Sequence, residues 1–470
     1  MAQGNKWKTD FSSLSGLKQT CAEQGVEIPF QTDVSILGEQ VRLGDKTVPN
    51  SLAILPMEGC DGERDGSPGE LTLRRYRRFA AGGAGLLWVE AIAVAPEGRA
   101  NPRQLWLNED NKDSFAAMVA QIRKDARESM GTDHRPYLVA QLTHSGRYSK
   151  PDGSARPLIA QRDPYRDPLV PEPEPNPNRP ARLGDSWQIV TDEYLDELQD
   201  RYVEAARLAM DAGFDAVDIK ACHGYLINEL LAARNREGKY GGSFENRTRF
   251  MLEVVDKINA ALGGGCAVTS RLGFYDAIPY PYGWGVDEKD YTVPDPTEPK
   301  RLVSILMDKG VELLNFTIAN PYYNPHVGRP FNKPVEGGYS EPEHPLKGVR
   351  RLIDIAGDVQ EEFPSLALVG TGYSWLRQFM GNTAAAVKRD GRTTFVGGGR
   401  MAFAYPDFPK DLLEKGRMDS KKVCIACSAC TQLMRDGQQA GCVVRDRKVY
   451  KPIYEFGRSS NICKAIKEEI

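Results

Sequence analysis

The stretch AVDIKACHGY, residues 216–225, decides how the rest of the chain is read. It begins as an apolar run of strand length and ends by presenting Lys220, Cys222, His223 and Tyr225. Titratable side chains therefore gather where a buried strand would emerge into a loop. Any one of them alone reads equally well as a surface residue. Together they mark a site at the C-terminal end of a strand.

Working outward, the same cadence recurs. Short apolar runs lie at Leu52–Met57, Leu86–Ala93, Tyr137–Leu142, Ala216–Lys220, Ala267–Leu272, Leu313–Thr317, Leu366–Gly370 and Thr394–Gly398. Segments with helical spacing separate them, at Glu70–Ala81, Lys112–Arg127, Asp192–Ala212, Asn246–Ala261, Pro299–Lys309, Pro345–Glu362, Trp375–Arg389 and Phe408–Gly416. Eight strand-helix units predict an α/β fold, a (βα)₈ TIM barrel, rather than an open doubly wound sheet, because no strand runs into a glycine-rich dinucleotide fingerprint. Residues 28–50 alternate apolar and polar around Gly38 and Gly44-Asp45, which predicts a hairpin ahead of the barrel. The long connections 143–191, 273–298 and 318–344 all follow strands and would lie over the C-terminal mouth. The first holds the proline-rich run PLVPEPEPNPNRP. The chain thus divides into an N-terminal extension (1–27), the barrel (28–416) and a cysteine-rich tail (417–470).

Composition excludes several classes. With 470 residues the chain can bury a full core. A net charge of −3 offers no basic field for nucleic acid, and no apolar run reaches the ~18 residues of a membrane span. The opening MAQGNKWKTDFSSLSGLK lacks the apolar stretch of a signal peptide, so the expected compartment is the cytoplasm and the nine cysteines are not a disulfide framework. Homo-oligomerisation stays open.

The runs LPMEG (55–59), GGAGLLWVEAIAVAPEGR (82–99), QLTHSGRYS (141–149), AGFDAVDIKACHGYLINELL (212–231), YGGSFENRTRF (240–250) and GGGRMAFAYPDFPKDL (397–412) resemble the old yellow enzyme family of flavin mononucleotide oxidoreductases. The resemblance covers residues 28–445 and is greatest to the barrel domain of bacterial 2,4-dienoyl-CoA reductases. It implies FMN across the barrel mouth. Gly399-Arg400 after the eighth strand and Gly370 to Gly372 after the seventh offer backbone amides and a cation to its phosphate. Arg271 matches the arginine beside the flavin's anionic edge, Gln141 the glutamine on its pyrimidine edge, and Pro56, Met57 and Ala91 the positions that meet the ring through their backbone. Tyr225 matches the tyrosine that protonates the substrate carbon opposite the hydride.

Three positions depart from that pattern. Lys220 and His223 stand where relatives carry two histidines, or histidine and asparagine, to hold a substrate carbonyl oxygen. Glu58 stands where many relatives carry threonine or cysteine; beside the flavin it would lower the potential unless it turns away. His144 reads as structural, and His326 as a second acid or a bystander.

Five cysteines, Cys424, Cys427, Cys430, Cys442 and Cys463, crowd the last fifty residues. In 2,4-dienoyl-CoA reductases the equivalent run holds a [4Fe-4S] cluster through C-x₂-C-x₃-C-x₁₁-C, whereas the first four here follow C-x₂-C-x₂-C-x₁₁-C. A cluster, a structural zinc and no metal remain open. Those reductases continue into FAD and pyridine-nucleotide domains that this sequence lacks, so NAD(P)H directly or a separate protein is the expected electron donor. The resemblance implies an FMN-dependent ene-reductase acting on a small α,β-unsaturated carbonyl. Two alternatives are a Schiff-base lyase using Lys220 and a non-catalytic flavin/iron-sulfur electron-transfer subunit.

Overall fold

The computed structural model describes residues 7–170 and 187–468. The proline-rich run from Pro171 onward and the Cys463 side chain lie outside the described residues. Eight parallel strands close on themselves in chain order: β1 (Leu52–Ile54), β2 (Leu86–Ala93), β3 (Tyr137–Thr143), β4 (Ala216–Ile219), β5 (Ala267–Gly273), β6 (Leu313–Thr317), β7 (Ala367–Gly370) and β8 (Phe395–Gly398). Closure is made where Val396 and Gly397 of β8 stand opposite Leu52 and Ala53 of β1. The expected (βα)₈ barrel is therefore what forms.

Strands in such a barrel are covered on both faces, which is why their sequences are continuously apolar rather than alternating. Every residue of β2 is buried. Inside, Leu86, Trp88, Tyr137, Val139, Ala216, Leu313, Ala367 and Phe395 pack with Val41, Leu43 and Val48. Those last three belong to the hairpin that pairs Val41–Leu43 with Lys46–Val48, so the predicted hairpin plugs the N-terminal end. Lys46 Nζ fastens it to Asp215 at 3.0 Å, just before β4.

The outer layer is α1 (Glu70–Ala81), α2 (Lys112–Met130), α3 (Asp192–Asp211), α4 (Phe244–Leu262), α5 (Thr297–Asp308), α6 (Pro345–Glu362), α7 (Met380–Arg389) and α8 (Phe408–Lys415). In α3 the Thr191 hydroxyl accepts from Tyr194 N, Asp192 and Glu193 face the positive end of the dipole, and Leu195, Leu198, Tyr202, Ala205 and Ala209 form the buried stripe. Losing one such large apolar side chain costs about 2–5 kcal/mol. One expected helix is interrupted. Trp375–Arg389 splits into a 3₁₀ segment, Tyr373–Phe379, and α7, because Arg377 takes φ 55° and ψ −128°. The break sets its guanidinium 4.1 Å from the Phe11 ring centroid, while Gln378 Nε2 donates to Phe11 O at 2.6 Å, so the N-terminal segment is docked at the cost of a turn of helix.

The tail folds back on the barrel as α9 (Ala429–Arg435) and α10 (Arg447–Glu468). Arg74 and Arg78 of α1 hold Asp446 at 2.7 and 2.6 Å, and Ala440 N donates to Gly59 O at 2.6 Å. This places the cysteine segment against the loop that leaves β1.

Candidate active site at the barrel mouth

The upper layer of the barrel is polar. Asp218 of β4, fully buried, accepts from Trp88 Nε1 at 2.7 Å and Gln141 Nε2 at 2.6 Å, and its other oxygen accepts from Arg271 N at 2.7 Å. Burial pushes its carboxyl up to about 6 against these bonds. Arg271 Nη1 donates to Pro56 O at 3.1 Å, which ties β5 to the β1 loop across the barrel. Among the described residues, Arg271 Nε, Thr371 Oγ1 and both amide atoms of Asn315, in register beside Arg271, are buried without a partner. Unpaired buried polar groups are costly, so this layer suits a polar guest.

The glycines at the ends of β7 and β8 keep the backbone accessible. A Cβ at Gly370 would stand 2.5 Å from Tyr373 Oη, one at Gly397 would stand 2.3 Å from Leu55 Cδ2, and one at Gly399 would stand 3.2 Å from Met57 Sδ. Gly372 takes φ 94°, a conformation open to glycine. Ala91 lies where the β2–β3 register shifts between Val89 and Ile92, and its carbonyl accepts from Gln104 Nε2 at 3.2 Å.

Around the end of β4, Tyr225 Oη donates to Glu58 Oε1 at 3.0 Å. Lys220 Nζ lies 3.6 Å from the same oxygen and 3.7 Å from the Tyr225 ring centroid. Burial, reinforced by the Glu58 charge, holds the Tyr225 phenol well above its ordinary range; burial also lowers Lys220, which Glu58 opposes. Glu58 has turned to the tyrosine. His223 takes φ 65°, its Nε2 lies 3.3 Å from Thr317 Oγ1, and burial together with the Arg271 and Lys220 charges pushes it well below the ordinary imidazole value. It is a neutral imidazole. Tyr148 and Tyr322, from the β3 and β6 loops, stack at 3.8 Å and wall the site beside Tyr225.

Two other histidines fall outside this cluster. His144 Nε2 lies 2.9 Å from Tyr194 Oη and its Nδ1 accepts from Gly146 N, a loop tether whose burial pushes the ring down to about 4. His326 Nδ1 pairs with Tyr339 Oη at 2.6 Å.

Cys424, Cys427, Cys430 and Cys442 line one cavity together with Arg400. Ala426 N donates to Cys424 Sγ and Arg445 N to Cys442 Sγ, each at 3.3 Å. Ala426 and Ser428 adopt φ 52° and 59°, which wraps the loop tightly around the sulfurs. Arg400 was expected to face a phosphate. It also lines this cavity, and its Nη2 donates to Pro330 O at 2.7 Å. As the side chains stand, no group of three His, Cys, Asp or Glu among the described residues is arranged to hold a metal ion.

The model of the NADH:flavin oxidoreductase / NADH oxidase family matches residues 37–285, more than half of the chain. The chain belongs to this family. A member, the NADH oxidase of Thermoanaerobacter brockii, is 27% identical over 390 residues, covering 82% of this chain and 52% of that protein. The NADPH dehydrogenase of Bacillus pumilus (strain SAFR-032) is 32% identical over 273 residues, 57% of this chain and 69% of the relative. This family member thus spans about half the length of the NADH oxidase. The fold is also that of 2-naphthoyl-CoA reductase in complex with 2-naphthoyl-CoA (TM-score 0.65, 19% identity, 88% of this chain and 57% of that one). The old yellow enzyme homologue from Zymomonas mobilis shares it too (0.59, 21%, 82% and 94%). Sequence reasoning named the strand-end residues of the site but missed Asp218 and Asn315, whose polar side chains are hidden within apolar strands.

Proposed function

We propose that this family member is an FMN-dependent ene-reductase that reduces an α,β-unsaturated carbonyl compound. The observation that carries the reading is the phenol of Tyr225, kept protonated by burial and then by the Glu58 charge at the mouth, above a polar layer with unfilled donors at Arg271 and Asn315. Arg271, Gln141, Pro56, Met57 and Ala91 would hold the flavin ring, and the amides around Gly370, Gly372 and Gly399 its phosphate, in a barrel spanning residues 28–416. FMN, when bound, supplies the hydride that enters the β-carbon. His223 and Lys220 hydrogen-bond the carbonyl oxygen and stabilise the charge it gains, while Tyr225 protonates the α-carbon. The contacts of Lys220 with Glu58 and Tyr225 favour this over a Schiff-base lyase, which needs a free amine.

The tail 417–470 would hold a [4Fe-4S] cluster through Cys424, Cys427, Cys430 and Cys442, supplying one-electron transfer. Four cysteines lining one cavity, two of their sulfurs bonded by backbone amides, beside the Arg400 cation support that guest over zinc. Electrons come from NAD(P)H or a donor protein. The test is anaerobic: protein reduced by NADPH or dithionite is mixed with cyclohex-2-enone. Return of the oxidised flavin band with formation of cyclohexanone supports the reading; a band restored by oxygen but by no enone, enoate or enoyl thioester rejects it.

A further inference from the structure

An acid that gives up its proton at every turnover has to recover it, and Tyr225 is only 4% exposed. Lys220 is as enclosed, with 5% of its side chain exposed, whereas Glu58 keeps 18%. Glu58 therefore joins the buried phenol to water. One of its oxygens contacts both Tyr225 Oη and Lys220 Nζ. The loop that carries it is pinned on three sides: Arg271 Nη1 bonds Pro56 O, Gly59 N donates to Glu90 Oε2 at 2.6 Å, and Ala440 N donates to Gly59 O. The carboxylate is held in place, as proton transfer over hydrogen-bond distance demands.

We propose that Glu58 is the shuttle that returns a proton from solvent to Tyr225, with Lys220 as the charge that steadies the tyrosinate in between. The inference rests on the ene-reductase reading. As the α-carbon gains its C–H bond, the Tyr225 O–H bond breaks and its electron pair stays on oxygen. Glu58 then takes a proton from water, leaving a hydroxide that the buffer neutralises; its new O–H bond breaks toward the tyrosinate, and it ends as a carboxylate. One solvent proton is consumed per substrate, and nothing is oxidised or reduced in these steps. The order follows from geometry: Glu58 alone of the three groups reaches solvent while touching the phenol, so the proton must pass through it before Tyr225 can act again. Other titratable groups around the cluster are Tyr322 from the β6 loop, Tyr148 from the β3 loop, Arg271 from β5, Asp218 from β4, Cys222 and His223 from the loop that follows it, and Cys60 beside Glu58.

Glu58→Gln tests this, because the amide keeps the size and an acceptor oxygen for Tyr225 but has no acidic proton to relay. In flavin-loaded protein reduced beforehand and mixed rapidly with cyclohex-2-enone and NADPH, the first turnover should stay within about 2-fold of wild type, since Tyr225 starts protonated. Later turnovers should slow on the order of 10²-fold with a larger solvent isotope effect, and Glu58→Asp should recover part of the loss. Independently of turnover, ¹³Cζ-tyrosine NMR of the oxidised protein, assigned with Tyr225→Phe, should show the Tyr225 phenol ionising at lower pH in Glu58→Gln. Unchanged steady-state turnover overturns the proposal, as does equal slowing of first and later turnovers with an unchanged tyrosine titration, which is the mark of a positioning role. A wild-type protein that no unsaturated carbonyl re-oxidises rejects the ene-reductase reading itself, and this inference with it; in that case the titration still reports whether Glu58 and Tyr225 are coupled.

Discussion

The barrel mouth and the cysteine cavity both concentrate polar groups at the edge of the same fold, but they are built differently. At the mouth the groups answer one another across strands: Asp218 gathers Trp88, Gln141 and Arg271, and Glu58 gathers Tyr225 and Lys220. In the cavity four cysteines line one space with Arg400, backbone amides bond two of the sulfurs, and the surrounding backbone is bent into left-handed conformations at Ala426 and Ser428. The mouth holds most of its polar groups in bonds of its own and leaves Arg271 Nε and the Asn315 amide for a guest, whereas the cysteine loop draws its order from what it holds. Loss of a guest should therefore loosen the tail far more than the mouth.

The largest effect expected from that contrast is in the tail. Changing any one of Cys424, Cys427, Cys430 and Cys442 to Ala should remove most of the iron and the broad absorbance on the red side of the flavin band, with the flavin retained. Metal analysis on anaerobically purified protein decides it: about four irons per chain is the expected content of a [4Fe-4S] cluster, and one zinc would replace the cluster with a staple.

At the mouth, Arg271→Ala removes a cation whose hydrogen bonds are worth about 1.5–3 kcal/mol. Flavin should be held roughly 10- to 100-fold more weakly. Dialysis followed by absorbance checks this, and a variant as fully loaded as wild type, with unchanged reduction kinetics, removes Arg271 from the flavin site.

A smaller effect belongs to Asp218, whose carboxyl is pushed up to about 6 in the folded protein. Between pH of about 4 and about 6 the folded state binds a proton that the unfolded chain has released. The stability this group contributes is therefore complete below about pH 4 and declines as pH rises to about 6, by on the order of 2–3 kcal/mol. Urea unfolding across this window should show the decline in wild type and a shallower one in Asp218→Asn, where Asp276, also pushed up to about 6, keeps its share. Equal slopes in the two proteins would remove Asp218 as the cause.

Much of the fold was legible because closing a barrel needs eight apolar runs separated by helices, and that periodicity survives in a single sequence. Residues at strand ends were legible for a related reason: a side chain such as Arg271 or Tyr225 just past a buried run has few places to go. Asp218 and Asn315 were not, because one polar residue inside an apolar strand looks like ordinary alternation until the strand is known to be covered on both faces. The place of Arg400 beside the cysteines was hidden too. Its Nη2 donates to the carbonyl of Pro330, on a connection seventy residues away in sequence. The contact of Glu58 with Tyr225 joins the first barrel unit to the fourth across 167 positions, a distance at which no local pattern carries information.

The central claim is that Tyr225 is the acid of an enone-reducing site, and Tyr225→Phe followed through both half-reactions tests it most directly. Reduction of the flavin by its donor should stay close to wild type, while re-oxidation by cyclohex-2-enone should slow by on the order of 10² or more. Equal slowing of both halves, or no slowing of either, would contradict the account and leave Tyr225 as a wall of the flavin site.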